Sequence, residues 1–392
     1  MQDKSLYSFA KKRPEIQTYT IHKSSARLFW ERFVSKKFNI VALVLFCLIL
    51  IAMIIALAFV KNSPSKSLDD NSIYVNNLPV YFDQIVKRDF ERGPELDFIR
   101  NIASKEAQRA FLSNENPVFK ILYDSAYESG GSLTVNTDIV TLVYNPYDLI
   151  KAINLLNNTP NSQIIIPHIP YLGTNANGID IYSRLNVSIF VTLVIILLSI
   201  IFNIFIGFSL AAFYVFNRNK WYGNLIDKVA TVLNAIPEII WIFLLCIFFS
   251  TNWYGILVAF ILISWVSYYE IAKNEIYNLS QKEFILAAKA IGMNKFQITY
   301  RQLFSNVLPS LIIMMVDRLA INILIVASLA FLDLITEASN LNIGSVLKEA
   351  LLLVSSNPSY LIVSALYITV FSVVLKLFNV ALAQTYNPKL AK

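Results

Sequence analysis

The run NIVALVLFCLILIAMIIALAFV, Asn39 to Val60, contains no charged residue. As a helix rising 1.5 Å per residue it is long enough to cross a hydrocarbon layer of about 30 Å. In lipid the backbone can bond only to itself, so such a segment has almost no alternative to a spanning helix. Comparable runs cover Val187 to Phe216, Val229 to Ser250, Trp253 to Ala272, Val307 to Leu332 and Tyr360 to Ala383. The same length criterion makes about six spans. Composition agrees: of 392 residues 56% are hydrophobic and 15% charged, with a mean hydropathy of +0.55, more apolar than a soluble core of this size requires. Ala56 and Ala58 form an A-x-A pattern of the kind cleaved after a signal peptide. The run exceeds a normal signal core and follows a long tail, so a retained span is expected.

Lysine and arginine orient the spans. Lys11, Lys12, Arg13, Lys23, Arg27, Arg32, Lys36 and Lys37 precede the first one, which predicts a cytoplasmic N-terminus. Alternation then places Arg218, Lys220 and Lys228 inside, and likewise Lys273, Lys282, Lys289, Lys295 and Arg301. It leaves the loop with Asp333, Glu337 and Glu349 outside and returns Lys389 and Lys392 to the cytoplasm. Every short loop obeys the rule, so an even number of spans and two cytoplasmic termini are expected. This topology also accounts for the net charge of +7. The basic residues flank apolar runs and do not interleave with aromatics in a patch, so nucleic acid is not an expected partner.

The predicted organisation is a cytoplasmic tail over 1–38, a first span over 39–60, an extracellular insert over 61–185 and a five-helix core over 186–392. Within the insert, Leu96, Ile99, Ala103, Ala107 and Ala110 recur at helical spacing and predict a helix from Pro94 to Leu112. The alternating SLTVNTDIVTLVY, Ser132 to Tyr144, follows the turn signal Gly130-Gly131 and predicts a strand or hairpin. The fold class is therefore an all-α polytopic membrane protein with an α+β extracellular insert between the first and second spans. The insert is read either as a docking or gating surface for an external partner or as a passive insertion.

No phosphate loop, zinc-protease helix or nucleophile elbow occurs in the chain. Cys47 and Cys246 lie inside apolar runs, and His22 and His168 are far apart, which argues against a disulfide framework or a His/Cys metal cluster. No catalytic residue, cofactor or metal is expected in this chain. A transporter without its own engine needs an ion gradient coupled through intramembrane charges, or a separate engine in the cytoplasm. Asp317 and Arg318 fall near the middle of the fifth apolar run, where each costs about 2.5 to 3.5 kcal/mol on insertion scales. Adjacent helical residues point to different sides, so each needs its own partner, with Glu238 or Glu270 the candidates for Arg318. They either line a pathway or gate, or form structural ion pairs between spans. Pro237 is expected to kink the third span, as a hinge or a static bend. Lys376 is expected to snorkel, and the N-x-S pattern at Asn186 lies too close to the membrane edge to suit glycosylation.

Between two apolar runs lies EFILAAKAIG, Glu283 to Gly292. Phe284, Ala287, Ala288 and Ile291 share one helical face with a small-residue centre, Glu283 suits the helix N-terminus, and Gly292 offers a stop. Asn294 can cap a second short helix running through Phe304. One reading is a contact face for a partner that must approach closely. The other is a surface helix lying on lipid or on its own bundle.

These residues resemble a family. EFILAAKAIGMNKFQITYRQLFSNVLP, Glu283 to Pro309, is similar to the EAA loop of ABC-importer permeases: Ala287, Ala288, Gly292, Asn306, Leu308 and Pro309 match, while Leu286, Gln302 and Ser305 depart. IPYLGTNANGIDIYSRL, Ile169 to Leu185, resembles the segment before the second span in dipeptide and oligopeptide permeases of the C-subunit type. Leu172, Gly173, Thr174, Gly178, Asp180, Ser183, Arg184 and Leu185 match there, and Asn175 and Ile179 depart. VASLAFLDL, Val326 to Leu334, and FNVALAQTYNPKL, Phe378 to Leu390, resemble two further segments of the same family. The resemblance implies a type I importer permease fold in the plasma membrane. It implies a second homologous permease subunit, two cytoplasmic ABC ATPase subunits that bind ATP and Mg, an extracellular peptide-binding protein and a peptide substrate. Glu283, Phe284, Ala287, Ala288, Ile291 and Gly292 would then form a coupling helix seated on one ATPase. Rival readings are a gradient-driven carrier, a permease for nickel or another small solute, and a membrane scaffold. Inverted repeats are not evident and only 10 glycines are present, which disfavours the carrier.

Overall fold

The computed structural model describes residues 25–128, 139–157, 163–250, 252–331 and 340–386. The basic residues before position 25, the Gly130-Gly131 turn, the first half of the expected 132–144 strand, the loop with Asp333 and Glu337, and the tail with Lys389 and Lys392 lie outside the described residues. Two hydrophobic cores are present, one in the helical bundle and one in the insert.

The bundle begins with α1 (Ser25–Val34) and α2 (Lys37–Ala58). Few side chains of α2 are buried, as suits a helix turned mainly to lipid, and it packs on the last helix, where Phe46 stacks on Phe378 at 4.4 Å and Asn39 donates to Thr385 Oγ1 at 3.2 Å. The insert follows: β1 (Val86–Glu91), α3 (Pro94–Ser113), β2 (Tyr123–Asp124), α4 (Ser125–Glu128), β3 (Ile139–Tyr144) and α5 (Pro146–Leu156). The remaining bundle helices are α6 (Ile181–Asn217), α7 (Trp221–Asn234), α8 (Glu238–Phe249), α9 (Trp253–Ile263), α10 (Trp265–Ser280), α11 (Glu283–Ala290), α12 (Lys295–Gln297), a π-helical stretch over Ile298–Leu303, α13 (Phe304–Phe331), α14 (Ile343–Leu352) and α15 (Pro358–Tyr386). Among the described residues five helices are long and apolar enough to cross a membrane: α2, α6, α9 with α10, the stretch Lys295–Leu329, and α15. A sixth exists if α7 and α8 count as one span, but these meet at 94°.

That angle falls at Pro237, the kink expected in the third apolar run. Val229 to Ser250 is a broken element, because Pro237 offers no N–H to continue the ladder. Trp241 stitches the break by donating its Nε1–H to Leu233 O at 3.1 Å. Further into the bundle, α6 and α10 approach very closely at Gly207. A Cβ there would sit 2.8 Å from Trp265 O, Tyr268 Cβ and Tyr269 N, so no larger residue fits without moving the helices apart.

In the insert the antiparallel strands run in the order β1-β3-β2. Val140, Leu142 and Tyr144 of the central strand alternate inward onto Phe90 and Phe119, as the period of two requires. Helix α3 matches its expected extent but not quite its expected face. Leu96, Ile99 and Ala110 are buried, Ala103 is only partly so and Ala107 is exposed, while Ile102 and Glu106 complete the inner stripe. Glu106 is tolerated there because Arg109 donates to both of its oxygens, at 2.9 and 2.8 Å, and the Val118 N–H donates at 3.0 Å.

Candidate functional site

The loops expected to be cytoplasmic gather at one end of the bundle. Lys295 Nζ donates to Asn217 Oδ1 at 3.3 Å, and the Arg218 guanidinium lies 5.3 Å from the Tyr277 ring centre. Helix α11 sits among them and is closed by a Schellman turn: Met293 N–H donates to Ala288 O at 3.1 Å and Gly292 N–H to Lys289 O at 3.1 Å. Gly292 has φ +84°, a left-handed conformation that L side chains rarely adopt. The chain then re-enters helix through a capping box, with Gln297 N–H donating to Asn294 Oδ1 at 2.8 Å and Asn294 N–H to Gln297 Oε1 at 3.1 Å. A rigid stop followed directly by a rigid start fixes the direction of α11 relative to α13.

The face expected on α11 is divided. Ile285 and Ala288 turn inward, and Ala288, at 5% exposed, packs into the chain's own core. Phe284, Ala287 and Ile291 remain outward, Ile291 at 79% exposed, and Leu286 and Phe296 extend the apolar surface. Glu283 is exposed in the first turn, where its charge complements the helix dipole.

Within the bundle, Arg318 of α13 pairs with Glu238 at the start of α8, and Ser264 donates to the other Glu238 oxygen. Of the two expected candidates Glu238 is therefore the partner, while Glu270 binds Lys273 at 3.0 Å on its own helix. Asp317, one residue away and on another side of α13, pairs with Lys376 of α15. Lys376 is thus half of an interhelical ion pair, not the simple snorkelling residue expected from sequence.

The opposite end holds a third arrangement, built by the segment around Leu172 to Leu185. Gly173 and Gly178 both take left-handed φ values, +79° and +72°, and a Cβ at Gly173 would lie 2.1 Å from Leu78 O, so the backbone is pressed against the insert. Asp180 caps α6 through Tyr182 N–H at 3.2 Å and accepts from Asn62 at 3.1 Å and Ser183 at 2.5 Å. Arg184, fully buried, forms a two-pronged pair with Glu349 of α14, its Nε at 2.9 Å from Oε2. Asn175 and Tyr360 also donate to that oxygen, each at 3.3 Å. In the sequence Glu349 stands out only as a loop charge. The Arg184 match was the one signal that a buried acid had to exist somewhere.

Among the described residues no three His, Cys, Asp or Glu side chains gather as a metal site needs. Residues 203–387 match the family model of the binding-protein-dependent transport system inner membrane component. A dipeptide transport system permease protein of Lactococcus lactis subsp. cremoris (strain MG1363) is 20% identical over 221 residues, 55% of this chain and 63% of that protein, so less than two thirds of its length is spanned. An oligopeptide transport system permease protein of Bacillus subtilis (strain 168) is 23% identical over 255 residues, 64% of this chain and 80% of that one. A chain of the inward-facing MetNI methionine ABC transporter covers 50% of this chain and 94% of its own length at 17% identity and a TM-score of 0.37. The family match takes in the broken α7–α8 element, α11 with its capping box, and the ion-paired α13. Residues 203–387 of this chain are thus similar to the binding-protein-dependent transport system inner membrane components.

Proposed function

We propose that the chain is the membrane-spanning permease subunit of an ATP-driven oligopeptide or dipeptide importer, forming the pathway with a second, homologous permease. Two cytoplasmic ATPases that bind ATP and Mg would supply the work, and an extracellular binding protein would deliver peptide. In this reading both termini are cytoplasmic and the insert is external. The supporting observation is α11: a short helix held rigidly at its C-terminal end, with Phe284, Ala287 and Ile291 left outward among basic loops. An apolar face in that position calls for a protein groove, and Glu283 and Gly292 act by starting and stopping the helix rather than by contact. Movement of the groove would pass through the capping box into α13 and from there to α8 and α15.

Asp317, Arg318 and Glu238 are read as members of structural ion pairs that latch neighbouring helices together. A gradient-driven carrier needs an intramembrane carboxylate free to gain and lose its ion, whereas Glu238 and Asp317 both hold cationic partners. The test is reconstitution with the candidate ATPase subunits. Phe284→Arg with Ile291→Arg is expected to abolish both co-purification of the ATPases and ATP-dependent peptide uptake, while the chain still inserts. Undiminished uptake would refute the coupling role, and uptake without any ATPase would refute the importer.

A further inference from the structure

A cleft of about 770 Å³ lies between the insert and the bundle, lined by Lys87 through Glu95, by Asn77, and by Ser355 and Ser356. Lys87, Arg88, Asp89, Phe90 and Glu91 all border it in unbroken sequence, although successive side chains of a strand point to opposite faces. A cavity touching all five must run along the edge of β1. That edge is the free one, since β1 is the outer strand of the sheet.

The register identifies which main-chain groups face the cleft. Val143 O accepts from Leu122 N–H and Thr141 N–H donates to Ser125, both on the β2 side of β3. Val140, Leu142 and Tyr144 therefore turn to β1 and meet Phe90, Arg88 and Val86. Lys87, Asp89 and Glu91 are left with N–H and C=O groups directed outward, and among the described residues no hydrogen bond engages these groups.

We propose that this edge binds an extended peptide by strand addition. The inference rests on the peptide-importer reading and names where its cargo docks. A row of unpaired main-chain groups recognises backbone without regard to side-chain sequence, which suits a carrier of varied peptides. Along the edge, five residues span about 17 Å at 3.4 Å per residue. Asn77, Ser355 and Ser356 line the same cleft, so the free edge opens onto a cavity bordered by both the insert and the bundle. Its rim carries both signs, Lys87 and Arg92 beside Asp89, Glu91 and Glu95, which favours no particular cargo charge.

The experiment uses the full chain in nanodiscs and fluorescein-labelled penta-alanine, with a backbone N-methylated form as control. Lys87→Pro removes one outward N–H and leaves the β3 ladder intact, as proline on a free edge does. It is expected to weaken binding about fivefold, the worth of one main-chain hydrogen bond, whereas Lys87→Ala, which keeps the N–H, has little effect. N-methylation should weaken binding to the unaltered chain in the same way, independently of how any variant folds. Equal binding of both peptides, or no measurable binding, would overturn the proposal. ATP-dependent peptide uptake by the unaltered assembled complex reports separately on the importer reading: uptake with unchanged penta-alanine binding in Lys87→Pro sinks only the docking edge.

Discussion

At the scale of single residues, three side chains make claims that a measurement can check. Arg184 is wholly buried and its charge is met by Glu349, so Glu349→Ala would strand a buried guanidinium and cost about 3 kcal/mol. The double variant Arg184→Met with Glu349→Leu should recover much of that loss in thermal unfolding of the nanodisc-embedded chain. Gly292 has open space around its Cα, and only its positive φ demands glycine. Gly292→Ala should accordingly cost about 1 kcal/mol, visible as faster amide exchange over 288–294. In the insert, the hydrogen bonds from Arg109 hold the Glu106 carboxyl below its ordinary value of 4.5. A carboxyl lowered by folding contributes stability that is complete above pH 4.5 and fades as the pH falls through its native value. Exchange protection of α3 should therefore weaken in acid, and Glu106→Gln should flatten that dependence.

Elements carry the next level of explanation. Helix α11 turns one face into the core and leaves another outward, so substitutions on them should separate. Ala288→Arg would drive a long charged side chain into the core and lower the yield of inserted protein, whereas Phe284→Arg should leave insertion unchanged and lose ATPase binding. Comparing inserted yield with ATPase pull-down for the two variants distinguishes packing from contact. The 94° meeting of α7 and α8 is likewise a property of the element. Proline alone explains why the ladder stops at 237. Beyond the break, Glu238 in the first turn of α8 meets Arg318 and Ser264, which ties the new direction to α13 and the start of α10.

For the molecule as a whole, α13 is tied on one side to α8 and on another to α15 by charges that would be costly without partners. If these are latches, Asp317→Asn should leave peptide uptake near its original rate once assembly is intact. Arg318→Met, which strands Glu238, should destabilise the bundle by about 3 kcal/mol in thermal unfolding. A large uptake defect in Asp317→Asn with normal assembly would return Asp317 to the pathway. The insert is joined to this bundle through the Gly173–Arg184 segment and α14, so changes at the Arg184–Glu349 pair would be felt by both cores.

Much of this protein is written locally. An uncharged run long enough for a bilayer becomes a span whatever surrounds it, the spacing of Leu96 and Ile99 suffices for α3, and Gly292 followed by Asn294 dictates a helix stop and start. Those features depend on bonds within a few residues and on the solvent each segment meets. Other features depended on tertiary structure. Helix α11 carries Ile285 and Leu286 as well as Phe284, Ala287, Ala288 and Ile291, so periodicity cannot tell which of these apolar side chains meet the chain's own core, and the inward turn of Ile285 and Ala288 was not legible. Lys376 beside Asp317, and Glu349 beside Arg184, are pairings between residues 59 and 165 positions apart. Sequence could state that each buried charge requires a counter-charge. Only the packing of the helices, which brings particular faces together, could decide which one it receives.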